Sequence, residues 1–328
     1  MNKVLITGAC GYLGARLCKH LAKDGYRVTA FDSYDPSAHS QWVSLMDEVV
    51  IGDIRDESTI SDLADRNFDV VVHLISLDHH KSESSPNLVS SINVMPTWNL
   101  LNKFTQNGLG KFIYFSTIHV YGKLPRETIN EDYPPNPLNA YGLTHLLSEN
   151  ICNYYNNQTD TECINIRLSN SYGSPIFNEN NCWWLVINDL CKTAIENNEI
   201  RLKSDGSPQR DFIHGDDVAG AIEVLIKSKK NNGNNIFHIA SGETLTILDL
   251  AYKVKTVFAQ LYKKDIKIIF PDNTVLESPF VFQNEKRFSI DITKIRQLGF
   301  KPNITINEGI SELLNYPETI NLLSNDNH

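Results

Sequence analysis

Apolar residues fall into short dense runs separated by stretches of helical spacing, and that alternation sets the first expectation. The run KVLITG (Lys3 to Gly8) is apolar and β-branched and stops at a glycine, as a buried parallel strand does. GARLCKHLAKDG follows with helical spacing and ends at Gly25. YRVTAFD, ending at Asp32, reads as a second strand, EVVIGD as a third and FDVVVHLI as a fourth, with the helix ESTISDLADR between the last two. A helix from about Ile92 to Asn107, the strand KFIYFST, a helix from Tyr141 to Tyr155 and the strand TECINIRLS complete the series. This rhythm predicts an α/β fold on a doubly wound parallel sheet.

After Asn170 the rhythm breaks. Ser171 to Gln209 is irregular except for a helix in CWWLVINDLCKTAIE. KSKKNNGNN reads as a solvated turn and LLSNDNH as a polar tail. With 328 residues, 41% of them hydrophobic, the chain supports a large core in one or two domains. A net charge of −9 argues against a nucleic-acid partner or an acidic membrane, so any phosphate site must be built from local geometry and a few placed arginines. Cys10, Cys18, Cys152, Cys163, Cys182 and Cys191 form no C-x-x-C pair and no metal-ligand rhythm. The sequence opens directly in a strand, which leaves no room for a signal peptide, and no apolar run reaches membrane-spanning length. The expectation is a cytoplasmic protein with free thiols and no metal.

TGACGYLG places Gly8, Gly11 and Gly14 between the first strand and the first helix. Glycines there let backbone amides approach a pyrophosphate at a helix N-terminus, where the dipole favours negative charge. Asp32 ends the second strand 18 residues after Gly14, where a carboxylate accepts hydrogen bonds from an adenosine ribose and repels a 2′-phosphate. The residues alone therefore predict a dinucleotide site that prefers NAD to NADP.

The glycine spacing resembles the short-chain dehydrogenase/reductase superfamily, and further segments resemble its extended branch, which modifies nucleotide sugars. GDIRD looks like that branch's adenine-contacting turn, VVHLIS its strand behind the nicotinamide ribose, and INVMPTWNLL its N-V-x-G-T-x-N-L-L helix with Pro96 for glycine. YFSTIHVYG, IRLSNSYGSP, PQRDFIHGDDVAGAI (with Gly215 for valine) and KRFSIDITKIRQLGFKP resemble its remaining motifs, in the expected order from Lys3 to about Tyr316. The resemblance implies a Rossmann domain over 1–170, with 211–240 returning to it, and a smaller C-terminal nucleotide-sugar lobe over 171–210 and 241–328. It places Gly8, Gly11, Tyr12, Leu13, Gly14, Asp32, Asp53, Ile54, Leu74, Asn93, Tyr141 and His145 against NAD, and Asn170, Arg210 and Arg287 against a nucleotide-diphosphate sugar. Arginine suits that task because its fork binds phosphate oxygens in pairs. A homodimer paired through the two helices Ile92–Asn107 and Tyr141–Tyr155 is also implied.

The same resemblance makes Tyr141 the proton carrier and Thr117 the hydroxyl that orients the reacting oxygen. The family lysine one helical turn after the tyrosine is His145 here, shorter and largely uncharged at neutral pH. Three readings follow: His145 replaces lysine through a hydrogen bond, or it holds only the cofactor, or turnover is lost. Ile118 and His119 stand where dehydratases keep an Asp-Glu pair, which argues against 4,6-dehydration and decarboxylation. His119 is read as an acid/base or a sugar contact. A second histidine for C3/C5 epimerisation is expected to be missing, because Trp183 and Trp184 occupy its place. DHHKSE (Asp78 to Glu83) reads as a loop near the sugar pocket. The leading expectation is an NAD-dependent 4-dehydrogenase or 4-epimerase of a nucleotide sugar. A silent NAD-binding protein, a 4-ketoreductase and a C3/C5 epimerase using His119 remain the alternatives.

Overall fold

The computed structural model describes residues 2–125, 127–180, 182–230, 235–276 and 286–316. The expected polar tail lies outside the described residues, as does the middle of the asparagine-rich turn.

Seven short apolar runs form one parallel sheet in the spatial order Ile236–Ile239, Glu162–Leu168, Lys111–Thr117, Val70–His73, Lys3–Thr7, Arg27–Asp32, Glu48–Ile51. Successive side chains alternate between two buried faces: Val4 and Ile6 join one core, and Leu5 the other. Helices cover both faces, which is why the strands read as continuous apolar runs rather than alternating ones. The strand order reverses between Lys3–Thr7 and Val70–His73, so a crevice opens beyond the carboxyl ends of those strands.

A second core gathers Ile187, Leu190, Ala251, Val254, Ile310 and Leu313 from the helices Val186–Asn197, Ile247–Tyr262 and Ile306–Leu314. Beside it lies a three-stranded sheet of Asn170–Tyr172, Gln209–His214 and Thr244–Thr246. The helix Gly215–Lys227 packs back against the first helix, Tyr12–Lys23. The departure at Gly215 has a steric reason. A Cβ there would lie 2.8 Å from Cδ of Arg16, whose buried guanidinium donates to Asp216 Oδ1 and to the Ser174 carbonyl, each at 2.5 Å. Arg16 thereby ties the first helix to the C-terminal elements.

Two helix expectations are corrected. The helix expected from Ile92 is two helices, Pro86–Asn93 and Met95–Phe104, separated at Val94 (φ −116°). Pro96 supplies no amide hydrogen and its ring crowds the carbonyl four residues back, so the helix restarts there instead of running through. The Trp183–Trp184 pair precedes its expected helix, which begins at Val186. Among the described residues no helix is long and apolar enough to cross a membrane.

Candidate active site

Most of the predicted site residues fall at or just beyond carboxyl ends of strands, around the crevice at the order reversal. Gly8 turns the chain with φ +76°, and its amide donates to the Phe31 carbonyl at 2.9 Å. A Cβ on Gly14 would sit 1.9 Å from the Gly8 carbonyl oxygen, so only glycine permits this loop-to-helix packing. Asp32 Oδ2 accepts from the Cys10 amide at 2.9 Å and Oδ1 from the Tyr34 amide at 3.1 Å. A carboxylate has about four acceptor positions, so two remain for a ribose diol. Burial and then Asp32 push the Cys10 thiol up to about 12, which makes it an inert part of the loop.

A cavity of about 430 Å³ lies against this loop, lined among others by Gly8, Gly11, Asp32, Asp53, Ile54, Leu74 and Ser76. It has a glycine cradle, an acid at the end of the second strand and an apolar wall from Ile54 and Leu74, features that fit a dinucleotide. Asp53 is clamped by Arg55, which holds its carboxyl below the usual range through hydrogen bonds. Two expected contacts lie elsewhere. Asn93 is fully buried, its Oδ1 accepting from the Leu77 amide at 2.8 Å and its Nδ2 donating to Thr144 Oγ1 at 3.1 Å, so it braces the wall from behind. The Tyr12 hydroxyl is buried, 3.4 Å from a Cβ placed on Gly215, and Tyr12 is not among the residues lining that cavity. Leu13 packs on the central core.

A second cavity of about 440 Å³ is lined by Ile118, His119, Lys123, Asn170, Gln209 and Arg210 among others. His119 and Arg210 keep exposed surface although protein crowds them on most sides, as residues on a concave wall do. The Asn170 amide donates to the Asp211 carbonyl at 2.9 Å. Arg287 is held at 2.8 Å by Asp249 and at 3.0 Å by the Thr244 carbonyl, and it does not line that cavity.

Tyr141 packs against His119, which lines this second cavity, and against His145, whose partner Ser76 lines the first. Thr117 ends its strand and Tyr141 opens the helix Ala140–Gln158, capped by Asn139, which accepts from the Gly142 amide at 2.8 Å. Burial is the largest influence on the Tyr141 phenol and Asp78 adds to it; the nearby Thr117 hydroxyl works the other way, and the balance leaves the phenol pushed up to about 12. His145 packs edge-on against Tyr141, ring centroids 4.5 Å apart. Its Nδ1 is 2.8 Å from the Tyr114 hydroxyl and its Nε2 3.1 Å from Ser76 Oγ. Burial, then His119 and His73, drive the His145 imidazole down to about 3, so it is neutral. His145 is 2% exposed, and Ser76 intervenes between it and the glycine-loop cavity. Sequence reading missed Ser76 and Tyr114 as its partners; Ser76, closing VVHLIS next to the crevice, was the available signal.

The loop Asp78–Glu83, expected near the sugar pocket, brings in His79. This loop follows Val70–His73, and the His79 ring lies 6.5 Å from that of His119 and 5.4 Å from that of Trp184. The His119 ring in turn stands edge-on to Tyr141 at 5.6 Å.

A parallel sheet with a glycine loop at its order reversal, beside a Thr–Tyr hydroxyl pair, defines a Rossmann-type nucleotide-dependent oxidoreductase. Comparison with known proteins narrows the class. Residues 4–240 match the model of the NAD dependent epimerase/dehydratase family, and the chain belongs to that family. It is an NAD-dependent enzyme of that family. A UDP-glucose 4-epimerase of Mycolicibacterium smegmatis is 25% identical over 321 residues, covering 96% of this chain and 98% of the relative. The Bacillus cereus UDP-glucuronic acid 4-epimerase, solved with UDP-glucuronic acid and NAD, superposes with a TM-score of 0.79 at 25% identity, covering 97% of this chain and 99% of that one. The Thermotoga maritima UDP-glucose 4-epimerase shares the fold with a TM-score of 0.81 at 22% identity, covering 97% and 99%.

Proposed function

We propose that the protein is a 4-epimerase of a nucleotide-diphosphate sugar, with Tyr141 as proton carrier. The observation that carries this reading is Tyr141, close to Thr117 and packed against His119 of the cavity of Asn170 and Arg210 and against His145, whose partner Ser76 lines the glycine-loop cavity. NAD, when bound, would supply hydride-acceptor chemistry for the sugar carbon. Gly8, Gly11, Asp32, Asp53, Ile54 and Leu74 would hold it, as the cavity lining supports. Tyr141 takes the C4 hydroxyl proton while Thr117 hydrogen-bonds the same oxygen. Arg210 and Lys123 face the sugar-side cavity with positive charge suited to a diphosphate. His145 positions Tyr141 by packing and holds Ser76 by a hydrogen bond, without adding charge.

Ile118 and His119 follow Thr117 in place of acids, which disfavours dehydration of the sugar. The proposed division is 1–170 with 211–240 for NAD, and 171–210 with 241–328 for the sugar. We further propose a homodimer formed through the helices Pro86–Asn93, Met95–Phe104 and Ala140–Gln158. In support, Leu88, Met95, Trp98, Leu143, Leu147 and Tyr154 on those helices are all exposed. Light scattering tests the dimer: a monomeric mass at micromolar concentration rejects it. A reducing cytoplasm is the proposed location, supported by six free cysteines, all buried.

The function is tested by incubating the purified protein with UDP-, dTDP-, GDP- and CDP-sugars, following C4 inversion by NMR and NADH by absorbance. Inversion at C4 is expected, and Tyr141→Phe is expected to abolish it. A second reading, NAD binding without turnover, is favoured by the neutral partners of His145, the hydroxyls of Tyr114 and Ser76. It wins if no sugar turns over while NAD still binds tightly. If Tyr141→Phe keeps its rate, Tyr141 is not the proton carrier.

A further inference from the structure

The sheet order gives the glycine-loop cavity two sides. Asp32 and Asp53 come from strands on one side of Lys3–Thr7, whereas Leu74, Ile75 and Ser76 follow the strand on the other. Beyond that strand comes Lys111–Thr117, with Thr117 at its end. A dinucleotide laid across the loop with one ribose on Asp32 therefore carries its second ribose toward Ser76, and its reactive ring on toward Thr117 and Tyr141.

Ser76 is held firmly on that second side. A Cβ on Gly8 would come within 3.2 Å of the Ile75 amide nitrogen, so this segment runs tight against the glycine loop. Asn93 accepts from the Leu77 amide at 2.8 Å and Ser82 Oγ donates to the Leu77 carbonyl at 3.2 Å, which fixes the backbone next to Ser76. The Ser76 hydroxyl donates to the same Leu77 carbonyl at 2.9 Å and lies 3.1 Å from His145 Nε2. Its one hydrogen is thus committed to Leu77, and the contact with His145 is made by a hydrogen on Nε2. Nδ1 is then an acceptor, and the Tyr114 hydroxyl, 2.8 Å away, donates to it. A hydroxyl oxygen has two acceptor positions, so one remains on Ser76 after His145, on a residue that borders the cavity.

We propose that Ser76 binds the nicotinamide-side ribose of NAD by accepting a hydrogen bond from one of its hydroxyls, and that His145 is a positioning residue acting through Ser76 without touching the cofactor. The inference rests on NAD occupying the glycine-loop cavity, as proposed above. His145 is 2% exposed and both its ring nitrogens are engaged, by Tyr114 and Ser76, so no ring atom is left for a ligand. Ser76 is half-buried and carries the contact forward to the cavity. The run from Tyr114 through His145 to Ser76 is uncharged, so it orients the ribose by the direction of its hydrogen bonds and not by charge. The same imidazole packs 4.5 Å from the Tyr141 ring, so one side chain keeps the proton carrier and the ribose contact in register.

The experiment compares ligands that differ at this ribose. NAD and ADP-ribose carry it and ADP lacks it, and each is titrated by calorimetry into the full-length, NAD-free parent and Ser76→Ala. NAD and ADP-ribose should bind about 5–10-fold more weakly to the variant, the scale of one lost neutral hydrogen bond, with ADP unchanged. NAD affinity equal to the parent's overturns the inference, as does an equal loss for ADP, which would place the damage in the loop and not at the ribose. The part played by His145 is read from its imidazole nitrogens by NMR. The parent should show the hydrogen on Nε2, with a resonance that moves on adding NAD but not ADP, and that response should disappear in Ser76→Ala. A hydrogen on Nδ1, or a response that survives in the variant, removes His145 from this role. If NAD does not bind the parent, the cofactor reading fails and this inference with it; if NAD binds both proteins alike, this inference alone fails.

Discussion

Position 145 decides how Tyr141 becomes a base. At present no charge reaches it from there: His145 is neutral, and burial holds the phenol up at about 12. His145→Lys would place an ammonium within reach of the ring that now lies 4.5 Å from His145. A unit charge at about 5 Å in an effective dielectric near ~20 favours the phenolate by about 3 kcal/mol, or roughly 2 pH units. The lysine must itself be desolvated at a position 2% exposed, which weakens the effect, so a shift of at least about 1 unit is expected. The assay is the pH dependence of kcat/KM, whose rising limb reports the essential base. That limb should move to lower pH in His145→Lys and stay in place in His145→Gln, which keeps a hydrogen bond to Ser76 without charge. Any charge on the cofactor is common to all three enzymes and cancels in the difference. A profile that superimposes on the parent's, in a lysine variant that binds NAD normally, refutes the electrostatic reasoning.

Three other expectations follow from the buried polar groups. His73, His145 and His238 are buried, and desolvation lowers them to about 3, 3 and 4. Their folded values lie below the unfolded value of about 6.5, so the unfolded chain takes up protons that the folded one refuses. Stability is full above about pH 6.5 and lost as pH falls toward 4, approaching about 4 kcal/mol per pH unit for three protons. Urea midpoints that do not change between pH 7 and pH 5 would rule this out. Glu149→Gln leaves the Arg167 guanidinium, now paired at 2.7 Å and 3% exposed, without its anion. Breaking such a pair costs about 3–5 kcal/mol, read by chemical denaturation; a loss below about 1 would show the pair is dispensable. Asp32→Asn keeps an acceptor for the Cys10 amide but removes the negative charge facing a 2′-phosphate. The ratio of NAD to NADP affinity should fall about tenfold or more by titration calorimetry, and an unchanged ratio would remove Asp32 from cofactor choice.

The parts of the fold legible in the sequence are those set by local chemistry. KFIYFST became Lys111–Thr117 because every side chain of a strand covered on both faces must be apolar or paired. The glycine loop was legible because the 1.9 Å approach of Gly14 to Gly8 admits no side chain. The break at Val94 was hidden because periodicity continues across it while Pro96 changes the backbone. Asn93 was placed on the cofactor by resemblance, but its amide is occupied by Leu77 and Thr144, contacts that only the folded chain creates. The same holds for His79. Its 40-residue separation from His119 vanishes because parallel neighbours in the sheet end at the same edge.

The packing around His145 explains how a histidine fits where the family pattern has lysine. Tyr114 and Ser76 engage both ring nitrogens, so the imidazole fills a closed socket as a neutral hydrogen-bonding wedge. An ammonium in that socket would carry its charge away from water, and the Tyr114 hydroxyl, itself buried and held well above its ordinary range, could not balance it. A neutral residue avoids that cost, and the base then has no fixed cation beside it. Among the described residues, Thr117 is left as the one group that lowers the Tyr141 phenol, and it does not outweigh burial. The remaining stabilisation has to arrive with the ligands. The tyrosine therefore stays protonated in the free protein and gains basicity only as the site fills, which couples proton abstraction to binding more tightly than a resident lysine would.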